Sequence, residues 1–169
     1  MVLRQASRED IPQMHAVRLA VRENALTSPK VTESSYIPAI ESTGRGWVVE
    51  ESGAIVAFAI ANRMTGNIWA LFVDPRHEGK GHGRALHQAM LSWLFSQGVG
   101  RAWLSTEPRT RAQRFYEQAG WHFEGIDANG EAAYEYLADN FGASGIRVGS
   151  GGLPETPTTD PSQGTADRA

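Results

Sequence analysis

Ile68-Trp69-Ala70-Leu71-Phe72-Val73 runs into Asp74-Pro75, and the chain then reads Gly79-Lys80-Gly81-His82-Gly83. The first run is rich in branched and aromatic side chains and stops at a proline, so it reads as a strand. Beyond Gly83 the period changes. Leu86, Ala89, Met90, Trp93 and Leu94 fall at helical spacing, and Gln97-Gly98 ends the run. Strand, glycine-rich turn and helix form the usual order of an anion site, with amide N–H groups and the helix N-terminus directed at the ligand. Glycine supplies the dihedrals such a turn needs and lets phosphates approach the backbone. Lys80, His82 and Arg84 would add positive charge nearby. A flexible loop ahead of a helix would leave the same three alternating glycines.

Two better-known phosphate loops do not fit. A P-loop needs Ser or Thr straight after Gly-Lys, and Lys80 is followed by Gly81. A dinucleotide fingerprint needs a βαβ unit and a third glycine, where this chain has Arg84.

Working outward, Gly46 to Glu50 and Ala54 to Ala61 are strand-like and are joined by Ser52-Gly53; Thr65-Gly66-Asn67 then leads into the run from Ile68. Such short connections predict an antiparallel meander. Upstream, Val2 to Ala6 reads as a first strand. Ser7 starts a helix with Ile11, Met14, Val17 and Val21 on its apolar face. Thr27 to Thr43 reads as a loop with one short helix near Glu33 to Ile40. Downstream, Ala102 to Ser105 is a strand, and Ala112, Phe115, Tyr116 and Ala119 mark a helix ended by Gly120. His122 to Ile126 and Ala132 to Leu137 are strands around the turn Asp127-Ala128-Asn129-Gly130.

These elements predict an α/β (α+β) fold, a mostly antiparallel twisted sheet of about seven strands with helices on both faces. The folded domain is expected over 1–138. Residues 139–169, dominated by Gly, Ser, Thr, Pro and Asp, are expected to be a disordered tail.

The 169 residues suit one domain, with 41% hydrophobic and 21% charged residues. A net charge of -3 argues against a nucleic-acid binder of the strongly basic kind. With no cysteine, thiolate catalysis and disulfides are excluded. No signal-like start or long apolar run is seen, so a cytoplasmic protein with no membrane contact is expected. The five histidines show no metal-ligand spacing and read as surface or loop residues, so no metal is expected.

Trp69 to Pro75, followed by His77 to Leu86, resembles the acetyl-CoA motif of the GNAT superfamily of N-acetyltransferases. Ala112-Gln113-Arg114-Phe115-Tyr116-Glu117-Gln118-Ala119-Gly120-Trp121 resembles the family's second signature. The resemblance implies an acyltransferase that moves an acetyl group from acetyl-CoA to a primary amine, of a small molecule or a peptide N-terminus, by direct attack in a ternary complex. It implies that the main chain of Leu71, Phe72 and Val73 pairs with the pantetheine arm, and that Gly79, Lys80, Gly81, His82, Gly83 and Arg84 cradle the pyrophosphate. It implies too that Ala112 joins the cofactor contacts and that Tyr116 is the acid that protonates the departing thiolate. Without the motif, Tyr116 would be read as a core aromatic.

The chain departs from the family at Glu78, where Arg or Gln is usual, and at Arg109, where Asn is frequent; Arg109 or Arg111 would instead meet CoA. No general base stands out among Glu33, Asp74, His77 and Glu107, and a water relay or an already neutral amine would serve as well. Trp69 or Trp121 would line the acceptor cleft. The resemblance puts acceptor specificity in about Thr27 to Thr43 and Glu124 to Tyr136, whose Glu33, Tyr36, Glu41, Tyr134 and Glu135 would suit a cationic small amine and equally a peptide N-terminus. A homodimer would be in keeping with the family. A non-catalytic acyl-CoA-binding module is the alternative function.

Overall fold

The computed structural model describes residues 1–21 and 31–142. Those beyond 142 fall in the expected tail, outside the described residues.

The strands are β1 (Val2–Gln5), β2 (Gly44–Glu51), β3 (Ala54–Asn62), β4 (Ile68–Val73), β5 (Arg101–Thr106), β6 (His122–Ile126) and β7 (Ala132–Leu137). The helices are α1 (Ile11–Ala20), α2 (Glu33–Glu41), α3 (His82–Ser96), α4 (Arg111–Gln118) and the short α5 (Ala138–Phe141). Every strand read from the sequence is present, and every ladder within the two sheets is antiparallel. Alternation explains most of the layering. Val48, Phe58, Ile60 and Ala70 point to one face and pack on Met14, Val17, Tyr36 and Ile40 of α1 and α2. Trp47, Val49, Ala57, Ala59 and Ala61 point to the other face and meet Leu86, Met90, Leu91 and Leu94 of α3. Phe141 of α5, beyond the last strand, packs on Phe95 and Tyr136.

The expected single sheet is divided into hydrogen-bonded halves ordered β1-β2-β3-β4 and β5-β7-β6. They meet at one parallel bridge, Asn67 to Trp103. Trp103 N donates to Gly66 O at 3.0 Å, and Trp103 Nε1 donates to Thr65 O at 2.9 Å. Gly66 has φ +79°, and a Cβ there would lie 2.1 Å from the Arg101 carbonyl oxygen, so glycine is required for this approach. Beyond the bridge β4 and β5 share no ladder. The β5-facing edge of β4 therefore keeps its main-chain donors and acceptors unpaired among the described residues.

Candidate active site at the β4–β5 split

A cavity of about 320 Å³ opens along this free edge. Leu71, Phe72 and Val73 form its β4 wall, Gly79 and Gly81 to Arg84 one end, and Thr110 to Ala112 with Phe115 and Tyr116 the α4 side. Ten of the eleven residues expected to act together thus border one space; Lys80 is the exception.

The turn adopts its shape for stated reasons. Asp74 accepts from Arg76 N at 2.9 Å and caps a 3-10 turn over Pro75–His77. Gly79 (φ +75°) and Gly81 (φ +85°) sit in the left-handed region, where other residues are strained. Gly83 has no such need, and a Cβ there would make ordinary contacts with Phe115 and Val73. Its lack of a side chain leaves the backbone open on the cavity side. Gly81 caps α3 without a side-chain acceptor, so the first amides of α3 have no partner within the helix. Together they make an anion-attracting end.

Glu51, at the end of β2, organises the turn from below, and sequence reading did not single it out. Its carboxylate accepts from His77 Nδ1 at 2.7 Å, Lys80 Nζ at 3.1 Å and His82 Nε2 at 3.1 Å. These hydrogen bonds, Lys80's foremost, hold Glu51 down at about 2. Lys80 and His82 were expected to lend charge to a ligand; their side chains are instead directed to Glu51. His82 is buried and its Nδ1 has no hydrogen-bond partner among the described residues. His87 is buried too, accepting at 2.8 Å from Trp121 Nε1. The expectation that the histidines are surface or loop residues fails at both, because α3 turns them inward.

Tyr116 is buried between Phe115, Trp121 and Tyr134, with ring centres 5.3, 5.4 and 6.4 Å away. Burial pushes its phenol well up, so it stays protonated. Its hydroxyl has no hydrogen-bond partner among the described residues. Glu78 is exposed and pairs with Arg111, and both residues line the cavity. Arg109 has φ +63°, a region that asparagine enters more cheaply than arginine. Of the base candidates, His77 and Glu107 line the cavity, Asp74 is held by Arg76 at 2.9 Å, and Glu33 is exposed at the start of α2.

The family model described as "Acetyltransferase (GNAT) family" matches residues 11–121. The chain belongs to the GNAT family. A mycothiol acetyltransferase of Beutenbergia cavernae is 37% identical over 81 residues, which cover 44% of this chain and 27% of that protein. The chain thus matches about a quarter of the length of this curated relative. A ribosomal-protein-alanine N-acetyltransferase of Brucella melitensis superposes with TM-score 0.68 at 17% identity, over 81% of this chain and 99% of that one. The PaiA N-acetyltransferase of Thermoplasma acidophilum, solved with coenzyme A, superposes with TM-score 0.66 at 14% identity, over 80% and 98%. Both show that this chain shares their fold.

Elsewhere in this GNAT chain two of the three acidic residues expected near an acceptor are held in ion pairs. Glu41 pairs with Arg8 at 2.5 Å and Glu135 with Arg101 at 2.5 Å, and Tyr134 donates to Glu117 at 2.8 Å. His122, Glu124 and Glu135 gather within 4.8 Å of one another, a grouping that sequence spacing did not reveal. Trp121 lies in the core against Tyr116 and does not line the cavity, whereas Trp69 is half-buried on the α1 side of β4. No described helix is long and apolar enough to cross a membrane.

Proposed function

We propose that this GNAT chain transfers an acetyl group from acetyl-CoA to a primary amine by direct attack in a ternary complex. One observation carries the reading: the cavity joins an unpaired strand edge, an uncapped glycine-lined helix start and a buried, protonated phenol. A narrow chain with amide groups fits the β4 edge as an added strand, and a pyrophosphate fits the Gly79–Arg84 end. Bound there, acetyl-CoA supplies an activated thioester.

The chain's own residues do the rest. An amide N–H from Leu71 to Val73 donates to the carbonyl oxygen as negative charge grows on it. The β4 edge and the α4 side hold the thioester in line for the attacking nitrogen. As the new C–N bond forms and the C–S bond breaks, Tyr116 Oη gives its proton to the departing sulfur. The amine's surplus proton leaves through His77, Glu107 or water.

The test is a thermal-shift panel of acetyl-CoA, CoA, ATP and NAD on the purified chain. Shifts with the two CoA compounds alone, followed by amine-dependent thiol release, would support the reading. CoA binding without thiol release from any amine would instead support an acyl-CoA-binding module.

A further inference from the structure

Arg18, on α1, is a buried cation with no counter-ion among the described residues. It is 6% exposed, and no other arginine or lysine is buried among the described residues. Its Nε donates to Tyr36 Oη at 3.1 Å. Its guanidinium carbon lies 4.8 Å from the Trp69 ring centre and 4.9 Å from that of Phe72. The two terminal nitrogens have no hydrogen-bond partner among the described residues, and Nη2 is shut off from solvent. Of the described acids on α2, Glu41 is taken by Arg8, and Glu33 stands exposed.

A guanidinium cannot escape burial by losing its proton. Aromatic faces and one hydroxyl compensate only part of the lost hydration. What is missing is an acceptor for two parallel N–H groups, and a carboxylate is the group whose geometry matches that fork. The place suits a ligand. Phe72, which carries the guanidinium on its ring, also lines the cavity, as does Val21 at the end of α1. Trp69, over the guanidinium and only half-buried, is the cover a ligand would displace.

We propose that Arg18 anchors the acceptor through a carboxylate, so that the substrate class is an amino-carboxylate rather than a plain amine or polyamine. This rests on the acetyl-transfer reading above. A phosphate is a poorer match, because its second charge would meet no further cation among these residues.

The test compares free amino acids with their own carboxamides, both in binding by calorimetry, with and without CoA, and in thiol release with acetyl-CoA. The acid should bind at least about tenfold more tightly than its amide. Arg18→Met should bring that ratio to about one, and Arg18→Lys, which keeps the charge without the fork, should lower it at least about threefold. Unliganded Arg18→Met should melt no lower than the parent, since an unpaired buried charge is removed; an arginine kept for packing alone would give a clear loss.

Equal binding of acid and amide by the parent chain would overturn the proposal, as would an acid preference surviving in both variants. Should Arg18→Met fail to fold, Arg18→Lys and the parent's own selectivity decide alone. An Arg18-dependent acid preference without thiol release from any amine would support the anchor and defeat the transfer reading. Thiol release favouring amides would do the reverse.

Discussion

Removal of one oxygen atom, in Tyr116→Phe, separates chemistry from architecture. The three ring neighbours of Tyr116 pack on carbon that phenylalanine retains. Its hydroxyl makes no hydrogen bond among the described residues, so its loss orphans no partner, and stability should stay within about 0.5 kcal/mol. Acetyl-CoA affinity should be equally unaffected. Turnover should not be. Burial holds the phenol protonated, and the same dry surroundings raise the basicity of a departing thiolate, which keeps the two matched for transfer. A positioned acid contributes roughly 100- to 10,000-fold, or about 3 to 5 kcal/mol of barrier. Single-turnover thiol release at saturating acetyl-CoA, with an equilibrium melt and CoA calorimetry on the same preparations, reads all three quantities. A chemical step within about threefold of the parent rate would refute the reasoning, because the phenol would then be a core aromatic and no more.

Three further outcomes follow from the packing. His87 is held neutral by burial, down at about 4, whereas in the unfolded chain it takes a proton near 6.5. Its contribution to stability is therefore present above about pH 6.5 and fades as pH falls toward 4, by at most about 3 kcal/mol; His87→Gln, which can still accept from Trp121, should lose that slope in urea melts across the range. Gly66→Ala should cost about 3 kcal/mol, from its positive φ and its clash with Arg101 O, whereas Gly53→Ala, at φ +80° with open space around it, should cost only about 1 kcal/mol. Glu78→Gln should remove a negative charge from the cavity lining and tighten CoA binding by about threefold, with a steeper salt dependence by calorimetry; unchanged or weaker binding would show that Glu78 does not oppose the ligand.

Strands and helices were legible because each announces itself within a few residues. The period changes from two to near four after Gly83, and each hairpin carries its own turn residues. Position along the chain also carried the glycine turn and Tyr116 to a common cavity. What stayed hidden was pairing at a distance. Nothing near Glu51 says that it will hold His77, Lys80 and His82, since those partners arrive only when β2 and the turn after β4 fold side by side. Nor does β5 itself say that its one backbone bridge to the first sheet, among the described residues, will run from Trp103 to Asn67; that depends on what Gly66 lets the Arg101 carbonyl approach.

Arg18 differs, because its signal was present and unread. Ile11, Met14, Arg18 and Val21 lie at steps of three, four and three, so the arginine stands on the very stripe that faces the sheet. A stripe reading passes over it, because arginine is expected on the outer face and Val17 beside it completes an apolar pattern. A charge at a core-facing position must be balanced by a partner, a ligand or lost stability. Among the described residues no acid balances this charge. Positions of this kind are therefore where a sequence can point past its fold toward its ligand.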